Sequence, residues 1–152
     1  MKKILVINGP NLNMLGKRNK EHYGDLTLND INNLMKKEDY FVYDFFQSNS
    51  EGDIVTKIQE AYYNADAVII NPAAYTHTSI AIRDALLILE IPIVEVHLSE
   101  VDSREDFRRI NYIRDIVDAT FKGSKEKSYL EAIKYLKNIL IYDTIWNVKF
   151  FI

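Results

Sequence analysis

The chain has 152 residues, 47% of them hydrophobic and 27% charged, with a formal net charge of -3. That is ordinary globular composition in an amount that fits one domain with a sizeable buried core. The slight acidity argues against a nucleic-acid binder working through a general basic field, no apolar run reaches the roughly 20 residues that cross a bilayer, and the lack of cysteine excludes disulfides, thiolate metal sites and cysteine nucleophiles together.

Met1-Lys2-Lys3-Ile4 opens like a secretory signal, but its apolar run stops at Asn8, short of an h-region of about 7–15 residues, so a cytoplasmic protein is expected. Lys3–Ile7 reads instead as a strand buried on both faces. It runs into Asn8–Tyr23, a loop opened by the turn sequence Asn8-Gly9-Pro10, and three of the chain's five glycines (Gly9, Gly16 and Gly24) lie in or beside it. Thr27-Leu28-Asn29-Asp30 has the form of a capping box and opens a helix running to about Lys37. Phe41–Phe46, aromatic and β-branched, is a second strand. Ser50-Glu51-Gly52-Asp53 caps a helix with Ile54, Ile58, Ala61 and Tyr62 at helical spacing.

Ala67–Ile70 is a third buried strand, stopped by Asn71-Pro72. Thr76–Leu89 reads as a helix with a broad apolar face, and Ile93–Val96 as a fourth strand. Ser103-Arg104-Glu105-Asp106 caps a short charged helix. Ile116–Phe121 is a weaker fifth strand, and Ser128–Ile141 a last helix with Leu130, Ile133, Leu136 and Leu140 in register. The tail, Ile141–Ile152, carries Trp146, Phe150 and Phe151. It is too apolar to hang in water and is expected to pack on the domain or a neighbouring subunit. Strand and helix alternate throughout, which predicts a flavodoxin-like α/β fold: a doubly wound sheet of about five parallel strands with helices on both faces, in a single domain over residues 1–152.

Ligands in such sheets bind outside the carboxyl ends of the strands. Those ends carry Asn8 and Asn11 after the first strand, Gln47 after the second, Asn71 after the third, and Glu95, His97, Leu98 and Ser99 around the fourth. Loops and helices add Arg18, Tyr23, His77, Asp84, Arg104 and Arg108. Taken singly, each favours a plain structural reading: Asn as a turn former, Glu95 and His97 as a hydrogen-bonded core pair, the arginines as a solvated face. Their convergence on one sheet edge favours a site.

Three blocks also resemble a known family. Asn8-Gly9-Pro10-Asn11-Leu12-Asn13-x-Leu15-Gly16-x-Arg18 with Tyr23-Gly24, then Asn71-Pro72-Ala73-Ala74-Tyr75-Thr76-His77-Thr78-Ser79 with Arg83-Asp84, then Glu95-Val96-His97-Leu98-Ser99 with Arg104-Glu105-x-Phe107-Arg108, are similar in order and spacing to the type II 3-dehydroquinate dehydratases. The resemblance implies a shikimate-pathway lyase of aromatic amino acid biosynthesis. It would remove water from 3-dehydroquinate through an enolate, without metal or other cofactor, and would act as a homo-oligomer, usually a homododecamer. Its partner would be a small-molecule substrate rather than nucleic acid or membrane. Carried over by position, Tyr23 would be the base, held as a phenolate by Arg18, and His97 the acid, oriented by Glu95. Asn11 would position a water on the enolate oxygen. Asn71 and the backbone of Leu98 and Ser99 would hold the carboxylate, His77, Asp84 and Arg108 the ring hydroxyls, and Arg104 would help the tyrosine loop close.

The chemistry suits these residue types. A free tyrosine, with pKa about 10, is ionised about one part in a thousand near pH 7. Only nearby positive charge or hydrogen bonding to the phenolate raises that fraction, and Arg stays protonated to supply it. The stretch Ile116–Tyr129 departs from the family, keeping only Gly123 and Tyr129, and Asn111-Tyr112 stands where Ser-Tyr is common. That departure motivates a second expectation, a family member that binds the same cyclic hydroxy acid with little or no turnover. A flavin or receiver domain on the same fold is disfavoured, because no Asp stands at Asn8 or Asn71 and no phosphate loop follows the first strand.

Overall fold

The computed structural model describes residues 1–142, so most of the apolar tail lies outside the described residues. Its elements are β1 (Lys3–Asn8), the one-turn helix α1 (Lys20–Tyr23), α2 (Leu28–Lys36), β2 (Val42–Gln47), α3 (Glu51–Asn64), β3 (Ala67–Asn71), α4 (Ile80–Ile88), β4 (Ile93–His97), β5 (Ala119–Lys122) and α5 (Lys127–Lys137). The strands form one parallel sheet in the order β2-β1-β3-β4-β5. This is the flavodoxin-like arrangement the alternation predicts, and the strand order reverses between β1 and β3.

Alternate residues of each strand feed two cores. Ile4, Val6, Ile69, Val94 and Val96 pack with Ile31 and Met35 of α2 and with Tyr129, Ala132, Ile133 and Leu136 of α5. Leu5, Ile7, Val68, Ile70 and Ile93 pack with Ile54, Ile58 and Ala61 of α3 and Ile82, Ala85 and Leu86 of α4. Continuous apolar runs are therefore required in β1 and β3, whose residues go to both sides in turn. Each fully buried aliphatic side chain contributes about 1.5–3 kcal/mol, so the two layers together fix where the strand ends lie.

Capping sets the helix starts. In α2 the Thr27 hydroxyl accepts from the Asp30 N–H at 3.1 Å while the Asp30 carboxylate accepts from the Thr27 N–H at 3.0 Å. Ser50 caps α3 without the return bond, its hydroxyl accepting from the Asp53 N–H at 3.3 Å. Four boundaries differ from the sequence reading. Thr76–Leu89 is not one helix: Ala73–His77 forms a 3₁₀ turn, and α4 begins at Ile80 because Ser79 accepts from the Ile82 N–H at 2.9 Å and restarts the chain. The expected short helix after Ser103 is two 3₁₀ turns, Val101–Ser103 and Asp106–Arg109, since the Ser103 hydroxyl donates back to the Glu100 carbonyl instead of capping forward. The fifth strand starts only at Ala119, after Asp118 has accepted the Ile93 N–H at 2.7 Å. The last helix gives way at Asn138 to a π turn reaching Tyr142. Among the described residues no helix is long and apolar enough to cross a membrane.

Candidate active site

At the switch point Asn8 and Asn71 lie side by side as cross-strand partners, both buried. Tyr129 reaches them from α5: its hydroxyl donates to Asn8 Oδ1 at 2.6 Å and accepts from Asn71 Nδ2 at 3.0 Å. Burial pushes the Tyr129 phenol well above the ordinary tyrosine range, so it keeps the proton it donates. Asn71 Oδ1 accepts from the Ala73 N–H at 3.1 Å, which shapes the turn toward His77. The loops after β1 and β3 touch at Gly9, where an added Cβ would stand 2.4 Å from the Pro72 carbonyl oxygen. No side chain fits that approach.

Asn11 adopts a left-handed backbone (φ 68°), and its N–H donates to Asn49 Oδ1 at 3.0 Å. Gln47 Nε2 donates to the same oxygen at 3.2 Å and to the Gly9 carbonyl at 3.1 Å. The end of β2 thus braces the loop that carries Asn11.

Beyond Asn11 the chain rises into a segment bounded by Gly16 and Gly24, both at positive φ (93° and 79°). Within it, Arg18 Nη2 donates to the Tyr23 hydroxyl at 2.9 Å. Arg104 Nη1 donates to the same oxygen at 2.8 Å and to Ser99 Oγ at 3.3 Å. The two guanidinium carbons lie 3.8 Å and 5.3 Å from the centroid of the Tyr23 ring, so the phenol sits among two cations.

On the other wall stand Glu95 and His97, on one face of β4, 0% and 3% exposed. The His97 Nε2–H donates to Glu95 Oε1 at 2.5 Å, which leaves Nδ1 as the ring's other polar atom. Burial works to raise the Glu95 carboxyl. Hydrogen bonds from His97 and Asn111, with the charges of His97 and Arg114, outweigh it and hold the group below its ordinary range. His77 Nδ1–H donates to the Ile110 carbonyl at 2.6 Å, leaving Nε2 as an acceptor. Burial pushes the His77 pKa down, and the charges of His97 and Arg108 add to that, against the pull of the carbonyl. A neutral, accepting imidazole near pH 7 follows.

These groups enclose a cavity of about 120 Å³, sized for a small molecule rather than a polymer. Asn11, Arg18, Tyr23, Asn71, His77 and His97 line it, together with Leu98, Ser99, Arg104 and Arg108. Glu95 stands behind His97. Asp84 is not brought in: it is exposed on α4 and lines a separate groove with Arg83, Arg109 and Tyr112. Among the described residues no group of His, Asp and Glu is arranged to hold a metal ion.

Reading the chain alone misses the residues that hold the site from behind. Tyr129 and Asn8 are 121 positions apart, and although Tyr129 keeps to the family pattern, the sequence does not say what its hydroxyl holds. Asn49 carried a signal, standing two residues past Gln47 in a polar run after a strand. Asn111 stood out only as a departure from the family pattern and Thr120 not at all, since their contact with Glu95 exists only in the folded chain.

The family model described as dehydroquinase class II matches residues 2–137. The chain is 48% identical over 141 residues to a 3-dehydroquinate dehydratase of Histophilus somni (strain 2336), covering 91% of this chain and 94% of that one. The crystal structure of a type II dehydroquinase from Butyrivibrio crossotus DSM 2876 matches with a TM-score of 0.86 at 45% identity, covering 90% of this chain and 97% of the other. That of Propionibacterium acnes matches at 0.85 with 38% identity, covering 90% and 96%.

Proposed function

The chain belongs to the class II dehydroquinase family, as an enzyme of the 3-dehydroquinate dehydratase type, and from that premise we propose that Tyr23 and His97 are the base and acid of its dehydration. The observation that carries this reading is the placing of two differently equipped walls on one cavity. Tyr23 accepts from two guanidinium groups on one side, and the Glu95–His97 pair stands on the other.

The steps balance as a loss of water. The Tyr23 phenolate takes a proton from the carbon next to the ketone of 3-dehydroquinate, and the electron pair of that bond moves into an enolate. The enolate then re-forms the ketone as the hydroxyl two carbons away leaves, taking its proton from His97. Product is 3-dehydroshikimate plus water, and the proton on Tyr23 returns to His97 through solvent. Negative charge on the Tyr23 oxygen is balanced by Arg18 and Arg104, donors that cost no reorganisation once the loop is shut. Positive charge on His97 is balanced by Glu95.

Binding roles follow from position. Asn11 would place a water on the enolate oxygen, Asn71 with the N–H groups of Leu98 and Ser99 would hold the carboxylate, and His77 and Arg108 would hold ring hydroxyls. Neutral His77 suits an accepted hydroxyl. Asp84, exposed on a helix that also exposes Ile80, Leu87 and Ile88, would serve such a role only from a neighbouring copy, which supports self-association of the chain.

The test is turnover of 3-dehydroquinate by purified protein, followed by the absorbance of the conjugated product. Conversion that is lost in His97→Ala, with no inactivation by borohydride in the presence of substrate, is expected. Tight binding with no product would favour the non-catalytic reading, which no comparison favours.

A further inference from the structure

Glu95 is wholly buried and accepts from three side chains on three segments: His97 Nε2 at 2.5 Å and Asn111 Nδ2 at 2.6 Å, both on Oε1, and Thr120 Oγ1 at 3.1 Å on Oε2. The charged and titratable groups facing it are His97 of β4, Arg114 of the loop before β5, and His77 of the turn after β3. Asn111 stands apart from the other donors because its amide can lie only one way. Its Oδ1 accepts the N–H groups of Ile113 and Arg114, both at 2.9 Å. A flipped amide would set NH₂ against two backbone donors and its oxygen against a carboxylate. The NH₂ end therefore faces Glu95, and it can only donate.

The same short segment holds the second histidine. The Ile110 carbonyl accepts from His77 Nδ1, and the Tyr112 N–H donates to the Thr76 carbonyl at 3.0 Å. Residues 110–112 thus hold His77 directly and reach His97 through Glu95.

We infer that Asn111 is a positioning residue of the dehydration: anchored to the backbone at its oxygen, it holds the Glu95 carboxylate where His97 meets it and ties that contact to the segment that holds His77. The inference rests on the reading of His97 as the acid. It makes Glu95 a fixed acceptor, so His97 keeps one tautomer and one orientation through the cycle.

The substitution Asn111→Asp isolates this role. It keeps the oxygen that accepts from Ile113 and Arg114 and exchanges only the NH₂ for a second carboxylate oxygen. Two carboxyl groups at that separation share a proton that is given up only at raised pH. At low pH the shared proton donates to Glu95 as the amide did, and as the pH rises that proton is lost. The expected result is a ratio of variant to parent kcat that falls about tenfold between pH 6 and pH 8, with KM changed less than about twofold. A ratio that stays flat and within about twofold would leave Asn111 a backbone cap and overturn the inference. If the Asn111→Asp protein does not fold, the double-mutant cycle of Asn111→Ala with Glu95→Gln decides. Acting through Glu95, the two losses in kcat do not multiply; losses that multiply overturn it. Glu95→Gln alone separates the two levels. Parental kcat in that variant removes the acid reading itself, whereas an impaired Glu95→Gln beside a flat Asn111→Asp ratio removes only the role of Asn111.

Discussion

The two walls of the cavity are held in different ways. The acid wall is strand-borne: Glu95 and His97 sit two residues apart in β4, at most 3% exposed, with every partner of the carboxylate within 25 positions. The base wall is loop-borne. Tyr23 is half-buried on a single turn of helix, and its two donors come from 5 and 81 residues away on long side chains. A buried carboxylate is tolerable only with partners in place before anything binds, so the acid must be built into the rigid sheet. Long guanidinium side chains can gather on a phenol as a loop closes, and Arg104 is largely buried once it has done so. In the roles proposed for them, the acid is thus preset and the base assembled.

The strongest test of that contrast is Tyr23→Phe. The ring and its packing remain, and only the oxygen on which both guanidinium groups converge is lost. Turnover should fall on the order of a thousandfold while Tm is unchanged, within the range general-base removal produces. Initial rates and a thermal melt measure both; activity within about tenfold of the parent would reduce this wall to a cover. Next comes Arg104→Met, which removes one of two donors to Tyr23 and keeps the length of the side chain. A loss of about a hundredfold in kcat is expected, the scale of one oxyanion donor. An equal loss in Arg18→Met would show the two donors acting together, and a double variant no worse than either single one would confirm it by coupled kinetics.

What the chain disclosed follows the same division. Strands, sheet class and the identity of the cavity residues were legible, because apolar runs and polar strand ends are local patterns. His97 and Glu95 were legible as a pair from their spacing alone. Helix boundaries around Thr76–Leu89 were not, since Ser79 capping outweighed a continuous apolar periodicity. Asp84 was carried to the cavity by the family resemblance, but α4 turns it out to a different groove. The supports were least legible. Tyr129 looks like one more apolar position of α5, and only the fold reveals that its hydroxyl satisfies an oxygen on β1 and an amide on β3.

Tyr129→Phe carries the comparison to stability. The ring stays in its core, while Asn8 and Asn71 each lose their shared partner in a buried place. Leaving such groups short costs about 1–3 kcal/mol. A lower Tm is expected, with kcat reduced far less than in Tyr23→Phe, because the preset wall keeps Glu95 and His97. An unchanged melt would mean that water replaces the hydroxyl.

The smallest effect belongs to the seam between the walls. Lys122, at the end of β5, donates to Glu100 Oε1 at 2.5 Å and also to the Asp102 carboxylate, which pairs with Arg114 at 3.1 Å. Both acids lie on the segment that leads to Arg104, so Lys122 links the sheet to a donor of the base. The Asp102 carboxyl is held below its ordinary range chiefly by Lys122, with burial opposing and Arg114 assisting. Burial works to lower the Lys122 ammonium, and Asp102 and Glu100 outweigh it and raise it. A depressed carboxyl adds stability above its unfolded pKa and loses it as the pH falls through the folded value. A raised ammonium adds stability below its unfolded pKa and loses it as the pH rises through the folded one. The window therefore spans roughly pH 4 to pH 10. All three groups are partly exposed, so Lys122→Met should cost less than about 1 kcal/mol. The Tm difference should shrink in high salt and decline as the pH falls below the ordinary carboxylate range, where Asp102 is progressively protonated in the folded chain. Melts across pH and salt would detect it. A difference that shrinks neither with acid nor with salt would place the loss in the packing of the lysine stem rather than in its charge, and the seam would then belong with the preset wall.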